Sequence, residues 1–256
     1  MDLTILFLHG MFSWGRCFKF LADNISEKFP NADIICPTLP YHETSIDEEP
    51  DDHLGPFRIE DAIAHLQHEF IEKIDGQIII IGHSLGALIG EILASKNQKI
   101  ERIILINPAP QFGVNGFSWS ALLNYLPIIL RPGWENKPIR RTPRQTIRAI
   151  GHNLPPDIKN RIVSGARWAS GSMLSQLMEK DPITSVHGLT CDINMIYCGK
   201  DRMVTPRVSR AIALGLGTTP EFLPELPHYP LHDQYLAEKI CAIIKSHHSK
   251  RIGVLA

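Results

Sequence analysis

The sequence lacks the features that would send it to a membrane, a nucleic acid or a metal. It has no run of the roughly 18–20 apolar residues that a bilayer-spanning helix needs. Lysine and arginine (26) nearly balance aspartate and glutamate (27), so the net charge is −1 and no global field points to nucleic acid or a lipid surface. The five cysteines, Cys17, Cys36, Cys191, Cys198 and Cys241, form no C-x-x-C pair. Their odd number reads as reduced thiols rather than a disulfide framework. Twelve histidines are present, but none falls at metal-ligand spacing with a neighbouring acid. The set Gly82, Gly86 and Gly90 matches neither nucleotide-binding glycine pattern. Met1-Asp2 leads directly into a short apolar run without a preceding basic stretch, unlike a secretory leader. These absences favour a cytoplasmic protein with no metal, no cofactor, no nucleic-acid partner and no membrane span.

What is present is an alternation of short apolar runs with helical patterns. Leu3–Leu8, Asp33–Cys36, Gln77–Ile81, Arg102–Ile106 and Ile193–Tyr197 read as strands buried on both faces. Between the second and third, Ile59, Ile63, Leu66, Phe70 and Ile74 recur at steps of three or four, the stripe of an amphipathic helix. Leu85–Ser95 is apolar nearly all round and predicts a central buried helix. Thr205-Pro206 predicts a helix start with a capping hydroxyl, and Gly215 lies near its end. A last helix is expected from about Gln234 to Lys245. The pattern predicts an α/β fold with a doubly wound, mostly parallel sheet.

Residues 111–180 interrupt this rhythm. They hold three of the four tryptophans, six prolines and no clear apolar strand, and read as a helical insertion between two strands. Ten Lys/Arg against three acids give the insertion a net charge of +7, leaving −8 for the rest.

The chemical signal lies in Gln77-Ile78-Ile79-Ile80-Ile81-Gly82-His83-Ser84-Leu85-Gly86-Ala87. Gly-x-Ser-x-Gly between a buried strand and a helix is a turn that lifts a serine hydroxyl to the top of a sheet. Larger residues at Gly82 and Gly86 would collide with the neighbouring strand and helix. Leu85 N–H, at the helix start, points to where an oxyanion would form.

On these residues the chain resembles the α/β-hydrolase family of serine hydrolases. Leu8-His9-Gly10-Met11-Phe12-Ser13-Trp14 resembles the family's His-Gly-x segment, which implies Met11 N–H as the second oxyanion donor. Cys36–Ser45 resembles a further family loop, with Thr38 in place of aspartate and Pro40-Tyr41 in place of Arg-Gly, and is expected to shape the pocket rather than make bonds. A serine hydroxyl needs an imidazole to take its proton, and the imidazole needs a carboxylate to fix its tautomer. Tyr197-Cys198-Gly199-Lys200-Asp201, running on to Pro206, resembles the family's acid turn. Pro227-His228-Tyr229-Pro230 resembles its histidine loop, with Pro227 replacing glycine. The resemblance therefore implies a Ser84–Asp201–His228 triad. Asp192 is expected at the wrong end of the sheet, and His232 at the approach to the last helix.

By the same resemblance, 1–110 and 181–256 form the core and 111–180 a helical cap over the serine. The cap matches no known pattern. Phe12 and Trp119 are candidate apolar contacts for a substrate. Arg140 and Arg144, with Arg141 and Arg148, offer either an anion site on the substrate or a solvated face paired with the acidic loop Asp47–Asp52. The expected reaction is cleavage of a carboxylic ester, thioester or lactone, its small-molecule substrate neutral or anionic, through an acyl-enzyme. The alternatives are C–C bond hydrolysis or acyl transfer on the same triad, or ligand binding without turnover. Halide removal is disfavoured, because dehalogenases of this fold carry aspartate where Ser84 stands.

Overall fold

A computed structural model describes residues 3–11, 13–40, 42, 58–109, 132, 154–156, 159–160 and 189–254, with side chains in the last stretch described to residue 246. The first strand, β1 (Leu3–Leu8), matches its apolar run residue for residue, and all but Leu3 are buried. A 3₁₀ turn (Gly15–Phe18) and helix α1 (Lys19–Lys28) return the chain to β2 (Ala32–Ile35). Helix α2 (Ile59–Glu69) then leads through the 3₁₀ turn Ile71–Lys73 to β3 (Gln77–His83). Helix α3 (Leu85–Lys96) and β4 (Ile100–Ile106) follow. After residues 110–188 come β5 (Asp192–Lys200), α4 (Pro206–Gly215), β6 (Glu221–Pro227) and α5 (Gln234–Val254).

Among the described residues the sheet has six strands in the order β2-β1-β3-β4-β5-β6, with every pairing parallel. Parallel strands buried on both sides explain why the runs read as continuous apolar stretches instead of alternating ones. The chain moves from β1 to β2 in one direction and from β3 onward in the other. Right-handed crossovers therefore place α1 and the pair α2, α3 on opposite faces. The packing agrees: α3 lies on β1, β3, β4 and α2, whereas α1 meets β2 and α5. The reversal lies between β1 and β3, and the crevice beyond their carboxyl ends is where ligands bind in such sheets.

Several local expectations need correction. The stripe over 58–74 is one helix only to Glu69. Phe70 leaves the helical region (φ −125°, ψ −63°), and the stripe's rhythm continues through the 3₁₀ turn. Thr205 is the N-cap of α4 and Pro206 its first residue, but the threonine side chain makes no capping bond. Strand β3 runs two residues past its apolar run because Gly82 and His83 still pair with Leu105 and Ile106. The last helix extends to Val254. Pro224 lies within β6 at the sheet edge, where a residue without N–H is tolerated. Most of the expected cap lies outside the described residues.

Candidate active site

Ser84 is the first residue past β3 and the N-cap of α3, with φ 52° and ψ −116°. This is the region of a type II′ turn's first central residue, which glycine normally occupies, and a serine there is strained by about 1–3 kcal/mol. Hydrogen bonds over-determine the turn. Ser84 N–H donates to Ile106 O at 3.0 Å, and Ser84 O accepts from Ala87 N–H at 3.1 Å and Ala109 N–H at 3.0 Å. Around it, Gly82 and His83 on one side and Leu85 through Ala94 on the other are buried, whereas Ser84 is partly open.

Close backbone approach explains the flanking glycines. A Cβ on Gly86 would stand 2.0 Å from Leu8 O, so the first turn of α3 lies against the end of β1. A Cβ on Gly82 would come 2.5 Å from Ala87 Cα. A Cβ on Gly10 would stand 3.1 Å from Ser84 Cβ and 2.9 Å from His83 Nδ1. The His9-Gly10 turn is thus pressed onto the serine. Met11 follows in a turn closed by Ser13 N–H to Gly10 O at 3.3 Å. Leu85 opens α3, and its N–H is among the four that a helix leaves without an intrahelical acceptor.

Asp201 and His228 are both buried and meet directly, His228 Nδ1–H donating to Asp201 Oδ2 at 2.7 Å. The other carboxylate oxygen, Oδ1, accepts Met203 N–H at 2.7 Å and Val204 N–H at 2.8 Å. Three donors on one carboxylate fix its plane. With Nδ1–H turned toward Asp201, Nε2 is the ring nitrogen left for another partner. His232 lies elsewhere: its ring stacks on Tyr229 at 6.4 Å and tilts against Phe20 of α1 at 6.0 Å. Asp192 starts β5 and pairs with the buried Arg102 of β4 at the opposite end of the sheet.

Two other histidines, His83 and His9, are held neutral. Burial, reinforced by His228, pushes His83 down to about 3. Its Nε2–H donates to His228 O at 2.8 Å. Burial also holds His9 well below its ordinary value, with the neighbouring His42 adding to the effect. His9 Nδ1–H donates to Gly10 O at 2.9 Å, and its Nε2 accepts Leu39 N–H, also at 2.9 Å. The loop after β2 therefore makes bonds, contrary to the expectation that it only shapes the pocket. Thr38 adds another, its hydroxyl oxygen accepting Gly15 N–H at 3.1 Å.

Sequence reasoning missed Asn107. It is fully buried just past β4, and with Ser84 it is one of two non-glycine residues of positive φ (45°) among the described residues. The signal available was an Asn-Pro step closing an apolar strand. Phe12, Trp119, Arg140 and Arg144 lie outside the described residues. Among the described residues no group of three or more His, Cys, Asp or Glu is placed to hold a metal ion, and no helix is long and apolar enough to cross a membrane.

Comparison with known proteins agrees with the fold. An extracellular α/β-hydrolase from a Paenibacillus species, described as sharing structural and functional homology with tobacco salicylic acid binding protein 2, is similar in structure (TM-score 0.71, 14% identity, 94% of this chain and 97% of that one). A pyrethroid hydrolase from Sphingobium faniae JZ-2 is similar at TM-score 0.67 and 16% identity, over 96% of this chain and 97% of that one. Polyneuridine aldehyde esterase is similar at TM-score 0.65 and 13% identity, over 97% of this chain and all (100%) of that one. No curated protein matches the sequence significantly. At these identities the structures speak for the fold. The sequence profile of the alpha/beta hydrolase family, however, matches residues 5–238, nearly the whole chain, and the protein belongs to that family.

Proposed function

We propose that the protein is a serine hydrolase that cleaves a carboxylic ester, thioester or lactone through an acyl-enzyme. The observation that carries the reading is a strained, partly open Ser84 at the switch point of the sheet, in the same carboxyl-end cluster as a buried His228–Asp201 pair. In the reaction, His228 Nε2 takes the Ser84 hydroxyl proton as Oγ attacks the substrate carbonyl. The proton then passes to the leaving group, and the acyl-serine remains. Water repeats the cycle, giving its proton to His228 and releasing the acid with Ser84 restored. Asp201 holds the imidazole tautomer and stabilises the imidazolium. Met11 and Leu85 N–H groups stabilise the oxyanion, a contribution typically worth about 10²–10³ in kcat for one donor.

Residues 111–180 belong to the proposal as a lid, with Phe12 and Trp119 against the acyl or leaving group and Arg140 and Arg144 toward any substrate anion. A cytoplasmic location is also part of it, supported by five unpaired cysteines. The test is a fluorophosphonate probe with a p-nitrophenyl ester assay. Wild type should be labelled at Ser84 alone and show a burst of nitrophenol. Ser84→Ala should remain folded, lose labelling and lose on the order of 10⁴-fold or more in kcat. Labelling at another residue, or an active alanine variant, overturns the reading.

A further inference from the structure

Two side chains with no part in the proton transfers converge on a single atom, the main-chain carbonyl oxygen of His228. His83 Nε2–H reaches it at 2.8 Å and Asn107 Nδ2–H at 2.9 Å. Both donors are buried at strand ends, His83 closing β3 and Asn107 just past β4. His83 adjoins Ser84 in the chain. Asn107 is also bound to β5: its Oδ1 accepts Cys198 N–H at 2.9 Å, and its own N–H donates to Ile196 O at 2.9 Å. Cys198 lies three residues before Asp201, and the two are linked by Asp201 N–H to Cys198 O at 3.3 Å. A second Asn107 bond reaches Pro227 O at 3.3 Å.

We propose that His83 and Asn107 are positioning residues, fixing His228 between Ser84 and Asp201 by jointly holding its carbonyl oxygen. The inference rests on the triad reading above and deepens it. The Asp201 bond alone fixes only one point of the imidazole, Nδ1, and leaves the ring free to swing about that contact. Fixing the main chain at the other end of the side chain supplies a second point and so sets the direction of Nε2. The histidine loop has few donors of its own for this task, because Pro227 and Pro230 lack N–H. The backbone of Asn107 fits the role: asparagine adopts positive φ more readily than other non-glycine residues, which allows its amide to be delivered at the strand end. The neutral state of His83 fits as well. Its single ring proton lies on Nε2, and an unpartnered buried Nδ1 faces Gly10.

The test uses three variants of the full chain, assayed with a p-nitrophenyl ester and with fluorophosphonate. His83→Leu keeps the bulk and removes the donor. His83→Gln restores an N–H near the Nε2 position. Asn107→Gly removes the amide while permitting the positive φ. His83→Leu and Asn107→Gly are expected to lower kcat by about 10–100-fold with KM within about threefold, the scale of an ångström-sized displacement of a catalytic group. Fluorophosphonate labelling should slow in parallel, and His83→Gln should recover to within about threefold of wild type. The deshielded proton of the His228–Asp201 bond should broaden in the proton NMR spectrum of His83→Leu while that of His83→Gln stays sharp. Unchanged kcat in both deletion variants, or His83→Gln as slow as His83→Leu, overturns the proposal. If one deletion variant does not fold, the other decides by the same readouts. Wild type that fails to label at Ser84 removes the triad reading and this inference with it, whereas labelled wild type with unaffected variants removes only this inference.

Discussion

Replacing Gly10 by alanine tests how tightly the proposed oxyanion turn is set against the serine. The added methyl would stand 2.9 Å from His83 Nδ1, 3.1 Å from Ser84 Cβ and 3.3 Å from His83 Cε1. Carbon atoms pack best at about 3.5–4.0 Å, so the Ser84 contact is short by roughly half an ångström. Neither neighbour yields easily. The His83 ring is held through Nε2, and Ser84 is held by the backbone bonds of its turn. The turn itself must therefore move outward, carrying Met11 N–H with it. Overpacking of this kind costs about 1–3 kcal/mol. For a chain of this size each kcal/mol lowers Tm by about 2–4 °C, so the variant should melt lower but remain folded. A half-ångström shift of an oxyanion donor is expected to lower kcat about 10–100-fold with little change in KM. Gly86→Ala provides the contrast. Its methyl would meet main-chain atoms, Leu8 O at 2.0 Å and His9 O at 2.6 Å, and that variant should not fold. The assays are p-nitrophenyl acetate hydrolysis and thermal melting followed by circular dichroism. Gly10→Ala with wild-type kcat and wild-type Tm would refute the close approach and Met11's part in it.

Further expectations concern the acid, the base and pH. Asp201→Asn keeps an oxygen for the Met203 and Val204 amides but presents an NH₂ to His228, forcing the wrong imidazole tautomer. It should lower kcat by about 10⁴-fold near neutral pH, and a loss under tenfold would contradict the pairing. His228→Ala should lower kcat by several orders of magnitude, whereas His232→Ala, whose ring packs between Tyr229 and Phe20, should cost under about tenfold, and the reverse ranking would reassign the base. Stability should fall on acidification, because His83 titrates at about 3 when folded and near 6.5 when unfolded, so the unfolded chain binds the extra proton throughout that window. The stabilising contribution is present above about pH 6.5 and is lost toward pH 3. Between pH 7 and 5 His83 alone removes about 2 kcal/mol, and the buried His9 adds a loss of the same sign. Urea unfolding at the two pH values should show His83→Gln to be less acid-sensitive than wild type, and identical pH dependence would refute the account.

The strands and the serine turn were legible because their signals are local. Leu3–Leu8 and the Gly-x-Ser-x-Gly turn each specify their conformation within a few residues. Boundaries were less legible where pairing partners decided them. Strand β5 runs on to Lys200 because β6 continues beside it, although the apolar run ends at Tyr197. The hydrogen-bond partners of Asn107, Thr38 and His83 were not legible. Each depends on an atom far away in the chain: Asn107 on His228, Thr38 on Gly15, and His83 on His228 again. No periodicity or composition encodes such a partner. The capping hydroxyl expected at Thr205 failed for a related reason, since a local preference says which residue can cap and not where its side chain settles.

The distribution of buried polar residues shows how fold and chemistry are linked. An unbonded buried polar group costs about 1–3 kcal/mol, so an ordinary core keeps few of them. Here every strand of the sheet is followed at its carboxyl end by at least one: His9 and Ser13 after β1, His42 after β2, and Asn107, Asp201 and His228 after β4, β5 and β6, while His83 closes β3 itself. These are seven of the eleven buried polar or charged residues among those described, and the opposite end of the sheet holds chiefly the Arg102–Asp192 pair. Core stability alone gives no reason for one end of six strands to concentrate the groups that are most expensive to bury. The proposed site gives one: Ser84, Asp201 and His228 stand at the ends of β3, β5 and β6, and His83 and Asn107, at the ends of β3 and β4, donate to the His228 carbonyl oxygen.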